Sequence, residues 1–324
     1  MSELRWNPLL EEWVVTATHR QERTFLPPED YCPFCPMKPG GFLTEVPASD
    51  FEIVVFENKF PTFQREPPPP AVKGSQLYPV KPARGICEVV LYSPQHEGTL
   101  TDKNVEEIYK LVLVWTDRYR ELGSLDFVKY VYIFENKGEV IGVTLTHPHG
   151  QIYAFPFIPP VIQRELEASR RHRERTGHCL LCDVIGEELA DSRRIVAENP
   201  FFLAVVPFYA RYPYEVHILA KRHRLSLSDL SDEEQWDLAC IFKVVMVKYD
   251  GLFGFSLPYM MNMHQQPTDG QRHDYYHFHI EFYPLHRTRD KLKYRASTES
   301  GAGTFSTDAL PEEWAARLRE SGAK

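Results

Sequence analysis

Apolar and polar positions alternate in short runs along most of this chain and fall at helical spacing in only a few places. The runs VVFENKFP (54–61), CEVVLYS (87–93) and YVYIFEN (130–136) carry alternating β-branched and aromatic residues, with turn residues between them. They predict strands. Residues 101–122, TDKNVEEIYKLVLVWTDRYREL, open on acidic residues and place apolar ones at helical spacing, so they predict a helix. Residues 231–248, SDEEQWDLACIFKVVMVK, predict a second helix, with SDEE as a capping pattern. A charged helical connector is expected at 161–178, its arginine run a solvated face, and a short amphipathic helix at 308–320. Each half then holds a few antiparallel strands with a long helix on one face, an α+β architecture.

The halves repeat one another. CxxC at Cys32/Cys35 is followed by FENKFP, then RGICEVVLYSPQH (84–96), then THPHGQIYAF (146–155). CxxC at Cys179/Cys182 is followed by AENPFF, then RYPYEVHILAKRH (211–223), then YHFHIEFYP (276–284). Both read as CxxC, an E-N turn between strands, an Arg leading to an E-V strand that ends in His, and an H-x-H strand. Four features in matching order mark a duplicated module. Its parts are residues 1–160, a connector over 161–178, and residues 179–324.

Length agrees with two domains, since 324 residues exceed one typical domain. With 43% hydrophobic and 25% charged residues the composition is that of a soluble globular protein. The net charge of −8 argues against general nucleic-acid binding, which needs a basic surface. No apolar run approaches a membrane span, and MSELRWNPLL lacks a signal-peptide core. A cytoplasmic location is expected, and there paired thiols suit metal or redox chemistry better than disulfides. The repeat supplies partners for a tetrahedral zinc site: Cys32, Cys35, His96 and His147 in the first half, and Cys179, Cys182, His223 and His277 in the second. Two zinc ions per chain are expected, with iron left open at the second site.

The segment THPHGQ carries the chemistry. On an extended strand His147 and His149 lie on the same side. A metal on His147 would therefore present His149 from an anchored strand, stiffened by Pro148. Gly150 would clear the approach, and Gln151 would add a donor on the His149 face. A neutral imidazole attacks activated phosphorus well and leaves well afterwards. The loop before it is rich in small and amide residues that can surround phosphate oxygens, with Asn136, Gly142 and Thr144 as contacts.

HPHGQ after ENKG and a small-residue loop resembles the galactose-1-phosphate uridylyltransferase family, a branch of the histidine-triad superfamily. WVVTATHRQER (13–23), CPFC, FENKFP, SPQH, HFHIEFYP and LKYRASTESGAGTF (292–305) follow in family order, so the resemblance covers nearly the whole chain. It implies two tandem histidine-triad-like modules and a ping-pong exchange between UDP-glucose and galactose 1-phosphate through a uridylyl-histidine at His149. Gln151 would hold a non-bridging phosphate oxygen. Asn58 and Lys59 fall in the uridine-contact turn, and Asn136, Gly142 and Thr144 around the phosphates. Arg20 and Arg23 match arginines that reach the nucleotide phosphates across a dimer interface, which implies a homodimer. Lys293, Tyr294 and Glu299 match the hexose-contact segment, although Thr298 stands where an aromatic is common. Some members build a second metal site from a glutamate and three histidines; the matching residues are Glu165, His264, His279 and Glu281, and the Cys179 set is the preferred second site. Two other readings stand beside this one: a nucleotide-sugar phosphorylase or adenylyltransferase that uses inorganic phosphate, and a zinc-containing nucleotide-binding module without chemistry.

Overall fold

The computed structural model describes residues 2–22, 31–38 and 40–322. In chain order the first half contributes β1 (Ser2–Asn7), β2 (Glu12–Ala17), β3 (Val54–Glu57), β4 (Val80–Pro82), β5 (Ile86–Leu91), helix α1 (Val105–Gly123), β6 (Tyr130–Lys137) and β7 (His149–Phe155). Helices α2 (Pro160–Thr176) and α3 (Leu180–Asp191) lead into β8 (Ile195–Glu198), β9 (Phe202–Val205), β10 (Val216–Ala220), α4 (Asp232–Phe253), β11 (Tyr259–His264) and β12 (His279–Pro284). The chain closes with the hairpin β13 (His286–Thr288) and β14 (Lys291–Leu292), then α5 (Ser297–Ser300) and α6 (Pro311–Glu320).

The two halves share one antiparallel sheet of nine strands, ordered β3-β5-β7-β6-β11-β12-β10-β9-β8. They join where β6 pairs with β11, with Phe134 opposite Asn262 and Asn136 opposite Met260. The repeat is uneven at one place. Asn199 turns β8 back as β9, whereas the chain after Asn58 leaves the sheet, and β3 pairs directly with β5. The first E-N turn is therefore not a hairpin between sheet strands.

Alternation along each strand sorts its residues between two faces. On β7, Ile152 and Ala154 point into the main core with α1 and α4, and His149, Gln151 and Tyr153 point the other way. Helices α1 and α4 lie side by side on the core face, with the Trp115 and Phe242 rings 5.9 Å apart. Asn104 caps α1 reciprocally with Glu107, and Ser231 caps α4 with Glu234. Each cap supplies about 1 kcal/mol. Helix α6 finds its partner surface here, burying Trp314, Ala315 and Leu318 in the same core. The connector α2 is not wholly solvated: Ile162 and Leu166 pack with Tyr130 and Tyr276 on the opposite face of the sheet.

Glu135 is an acid on the core-facing side of β6, buried and accepting a hydrogen bond from the Tyr259 hydroxyl at 3.3 Å. Burial pushes its carboxyl from the usual 4.5 up to about 7, against the opposing pull of Lys137 and the tyrosines. The folded chain thus holds a proton here that the unfolded chain releases above about pH 4.5. This stabilising contribution is complete below that pH and is lost as pH rises to about 7. Glu135→Gln is expected to add about 3 kcal/mol of stability at pH 8 and little near pH 4.5, read by denaturant unfolding at both values.

Candidate active site and metal centres

Cys32, Cys35, His96 and His147 converge, as do Cys179, Cys182, His223 and His277, each set with its donor atoms within 4.8 Å of one another. In the first set the Cys35 sulfur lies 3.4 Å from Nδ1 of His96 and 3.6 Å from Nδ1 of His147. In the second, the Cys182 sulfur lies 3.5 Å from Nδ1 of His277 and 3.8 Å from Nδ1 of His223. Edges of a tetrahedral zinc site with these donors measure about 3.4–3.8 Å, so both sets fit a metal ion. The outer bonds repeat too. Nε2 of His147 donates to the Ser93 carbonyl at 2.9 Å and Nε2 of His277 to the Ala220 carbonyl at 2.8 Å, which points each Nδ1 lone pair at the thiols. The halves differ in exposure: Cys32, Cys35 and His147 are buried, whereas Cys179, Cys182 and His223 are half-buried. Burial holds the His147 imidazole down at about 4, hence neutral as a ligand must be. Within the second pair the hydrogen bond between the thiols pushes Cys179 down and Cys182 up.

Pro33 and Phe34, between the cysteines of the first metal set, join the wall of a cavity of about 240 Å³ lined by His149, Gln151, Asn58, Lys59, Asn136, Gly142, Thr144 and Arg20. Strand period 2 accounts for His149, Gln151 and Tyr153 on one wall. Nδ1 of His149 lies 2.8 Å from the His147 carbonyl oxygen. A carbonyl only accepts, so Nδ1 carries the proton and Nε2 keeps its lone pair. Phe34, from within the first CxxC, packs edge-on against the His149 ring at 5.2 Å. Burial holds this imidazole below its ordinary range, which keeps it neutral.

Several expectations change on contact with the geometry. Gly150 does not clear a path for a substrate. It faces the helix-side core, where a Cβ would overlap the Tyr92 hydroxyl. Gly142 is needed for its left-handed backbone, φ +88°, and its N–H is taken by the Glu139 carbonyl at 2.8 Å rather than offered to a phosphate. Arg20 enters the cavity of its own chain, where its guanidinium bonds Thr62 and, at 3.2 Å, the Tyr153 hydroxyl. Arg23 lies outside the described residues. Lys59 pairs with Glu45 at 3.4 Å on the cavity rim. Lys293 and Glu299 are buried against each other at 2.9 Å, Tyr294 is exposed, and none of the three lines the cavity. Phe34, Tyr153, Phe56 and Phe134 were missed as cavity walls. Strand alternation from His149 would have revealed Tyr153, and alternation from Asn136 on β6 would have revealed Phe134; nothing comparable marks the other two.

The second half has a counterpart of this cavity, filled by side chains. His279 matches His149, its Nδ1 3.0 Å from the His277 carbonyl. Glu281 takes the place of Gln151: Gln151 stands opposite Val89 and Phe134, and Glu281 stands opposite His217 and Asn262. Glu165 from α2 reaches His264 at 3.0 Å, and Nε2 of His279 faces the Glu281 carboxylate at 3.5 Å. Glu165, His264, His279 and Glu281 form a third donor cluster within 4.8 Å. The Cys179 set, the preferred second site, and this cluster are separate places, and the side chains of both assemble. Their donors differ, thiolate and imidazole in one, carboxylate and imidazole in the other.

This fold and site define a nucleotidyltransferase of duplicated architecture. Family models for galactose-1-phosphate uridyl transferase match here, the N-terminal domain over residues 1–159 and the C-terminal domain over residues 165–319. The chain belongs to the galactose-1-phosphate uridylyltransferase family, and it is an enzyme of uridylyl transfer. It is 44% identical to a galactose-1-phosphate uridylyltransferase of Thermotoga maritima, over 99% of both chains. A solved uridylyltransferase structure superposes with a TM-score of 0.88 at 37% identity, covering 98% of this chain and 97% of that one. An ADP-glucose phosphorylase from Arabidopsis thaliana, solved with ADP-glucose bound, superposes at 0.75 and 25% identity over all of both chains.

Proposed function

We propose that this chain exchanges UMP between UDP-glucose and galactose 1-phosphate by two displacements at His149. The observation that carries this reading is the His149 ring itself, with Nδ1–H bound to a carbonyl and Nε2 open to a cavity walled by amides and Arg20. Nε2 attacks the α-phosphorus of UDP-glucose; a P–N bond forms, the P–O bond breaks, and glucose 1-phosphate leaves with the electron pair. A phosphate oxygen of galactose 1-phosphate then attacks the same phosphorus, and the imidazole leaves neutral. The acceptor is already ionised, so no general base is required. Gln151, beside His149, donates to a non-bridging oxygen as charge develops there. Arg20 and Lys59 offset phosphate charge, and Asn58, Asn136 and Thr144 position the nucleotide.

Zinc in the two Cys₂His₂ sets holds the strands in place; at the first, His147 fixes the segment that carries His149. The third cluster suits zinc or iron. The segment around the exposed Tyr294 lies away from its own cavity, with Lys293 and Glu299 bracing it from within, which supports a homodimer in which a second copy offers that face to the hexose. Residues 1–160 and 179–324 act as one catalytic unit through their shared sheet. Six cysteines outside any disulfide, four of them in metal sets, suit a reducing cytoplasm.

The rival reading is favoured by the likeness to the phosphorylase: UMP or AMP passed to inorganic phosphate. Protein incubated with UDP-glucose labelled in the uridine should acquire an acid-labile, base-stable label. Galactose 1-phosphate should discharge it as UDP-galactose, and phosphate should leave it in place. Discharge by phosphate alone overturns the transferase reading, and no label overturns both.

A further inference from the structure

Beneath the catalytic strand lies a contact between Gly150 and Tyr92 that neither the nucleophile nor the metal sites explain. Tyr92 follows β5, is buried in the main core against Trp115, and its backbone N–H donates to the Pro148 carbonyl at 3.4 Å. Its phenol runs under β7 at the one residue without a side chain. A Cβ on Gly150 would overlap the phenol oxygen and would stand 3.1 Å from Cζ and 3.3 Å from the Phe134 carbonyl oxygen. The hydroxyl makes no hydrogen bond of ordinary geometry, and the Glu135 carboxyl, held by the Tyr259 hydroxyl, is close enough to act on it. Glu135 sits between Phe134 and Asn136, both of which line the cavity. The backbone at Gly150 is thus seated directly on the phenol, and its neighbours on either side are His149 and Gln151.

We infer that Tyr92 is a positioning residue for uridylyl transfer: its hydroxyl, in the space that Gly150 leaves, sets the depth of β7 and so the aim of His149 and Gln151. A methyl at residue 150 would lift the strand toward the cavity, because the core below is filled by the Tyr92 ring and Trp115. A displacement of about 1 Å at a reacting group costs about a hundredfold in rate. The inference rests on His149 as the nucleophile, which labelling of the wild-type protein tests separately. If the wild type labels, the variants below judge Tyr92 alone.

The test is a cycle of Gly150→Ala, Tyr92→Phe and the double variant, with kcat, KM for UDP-glucose and zinc content measured for each. Gly150→Ala is expected to lower kcat about a hundredfold with KM within threefold and zinc unchanged. Removing the phenol oxygen in the double variant makes room for most of the methyl, and at least tenfold of that loss should return. A merely structural role would lower the melting temperature in Gly150→Ala and restore it in the double variant while kcat per folded, zinc-loaded molecule stayed at the wild-type value. Equal loss in the single and double variants overturns the inference, as does wild-type kcat in Gly150→Ala. Should Gly150→Ala fail to fold, Tyr92→Phe decides alone: a fall in kcat of fivefold or more at unchanged KM supports the inference, and wild-type kcat overturns it.

Discussion

His149→Gly is expected to take up no uridylyl label and to lose turnover by about four orders of magnitude or more, the scale seen when a covalent nucleophile is removed. The variant keeps the cavity walls and Arg20, so UDP-glucose should still bind. Loss should appear in kcat and not in the affinity for the nucleotide. His279→Ala makes the contrast. His279 repeats the backbone bond of His149, yet its Nε2 faces the Glu281 carboxylate and the space in front of it is filled by His264 and Glu165. Its label should match that of the wild type. A label that survives His149→Gly, or one that disappears only in His279→Ala, would move the chemistry to the other half of the molecule.

Cys32→Ser is expected to empty the first metal set and to lower the melting temperature by about ten degrees or more. Binding free energies of structural zinc, about 10–16 kcal/mol, are comparable to the whole stability of a folded domain. Activity should fall as well, because His147 both belongs to that set and accepts, through its carbonyl, the hydrogen bond that fixes the His149 tautomer. The exposure difference adds an order of events. A chelator should strip the half-buried Cys179 set first, taking zinc from about two per chain to about one while activity persists, and only then the buried Cys32 set, with unfolding. Elemental analysis along a chelation time course, with a thermal melt at each point, reads both steps. A Cys32→Ser melt identical to the wild type would exclude a structural metal there.

Much of this site is legible in the sequence, and the reason is locality. His149 and Gln151 share a strand of period 2, so their common side follows from backbone geometry alone, whereas His147 precedes the strand and turns to the thiols instead. The metal ligands were legible because duplication wrote them twice, in the same order and with the same flanking residues. The cap residues Asn104 and Ser231 act within one helical turn. Where the reading went wrong, the missing information was non-local. Gly150 alternates with His149, so it had to face the opposite side of the sheet; what it meets there is Tyr92, a residue from another strand's end. Arg20 lines the cavity of its own chain through the fold that follows β2, a placement that no spacing in the sequence carries.

By itself, then, the sequence determined the α+β class, the repeat, both Cys₂His₂ sets and the side of the strand that bears His149, because each depends on period or on spacing repeated within the chain. Only the tertiary structure decided that the halves merge into one nine-stranded sheet, that Glu281 meets His217 and His264 in a filled counterpart of the cavity, that Lys293 is spent on Glu299, and that Tyr92 lies under Gly150. Those depend on which strands become neighbours and in what register. Cross-strand register is set by packing of the whole core, and no window of sequence contains it.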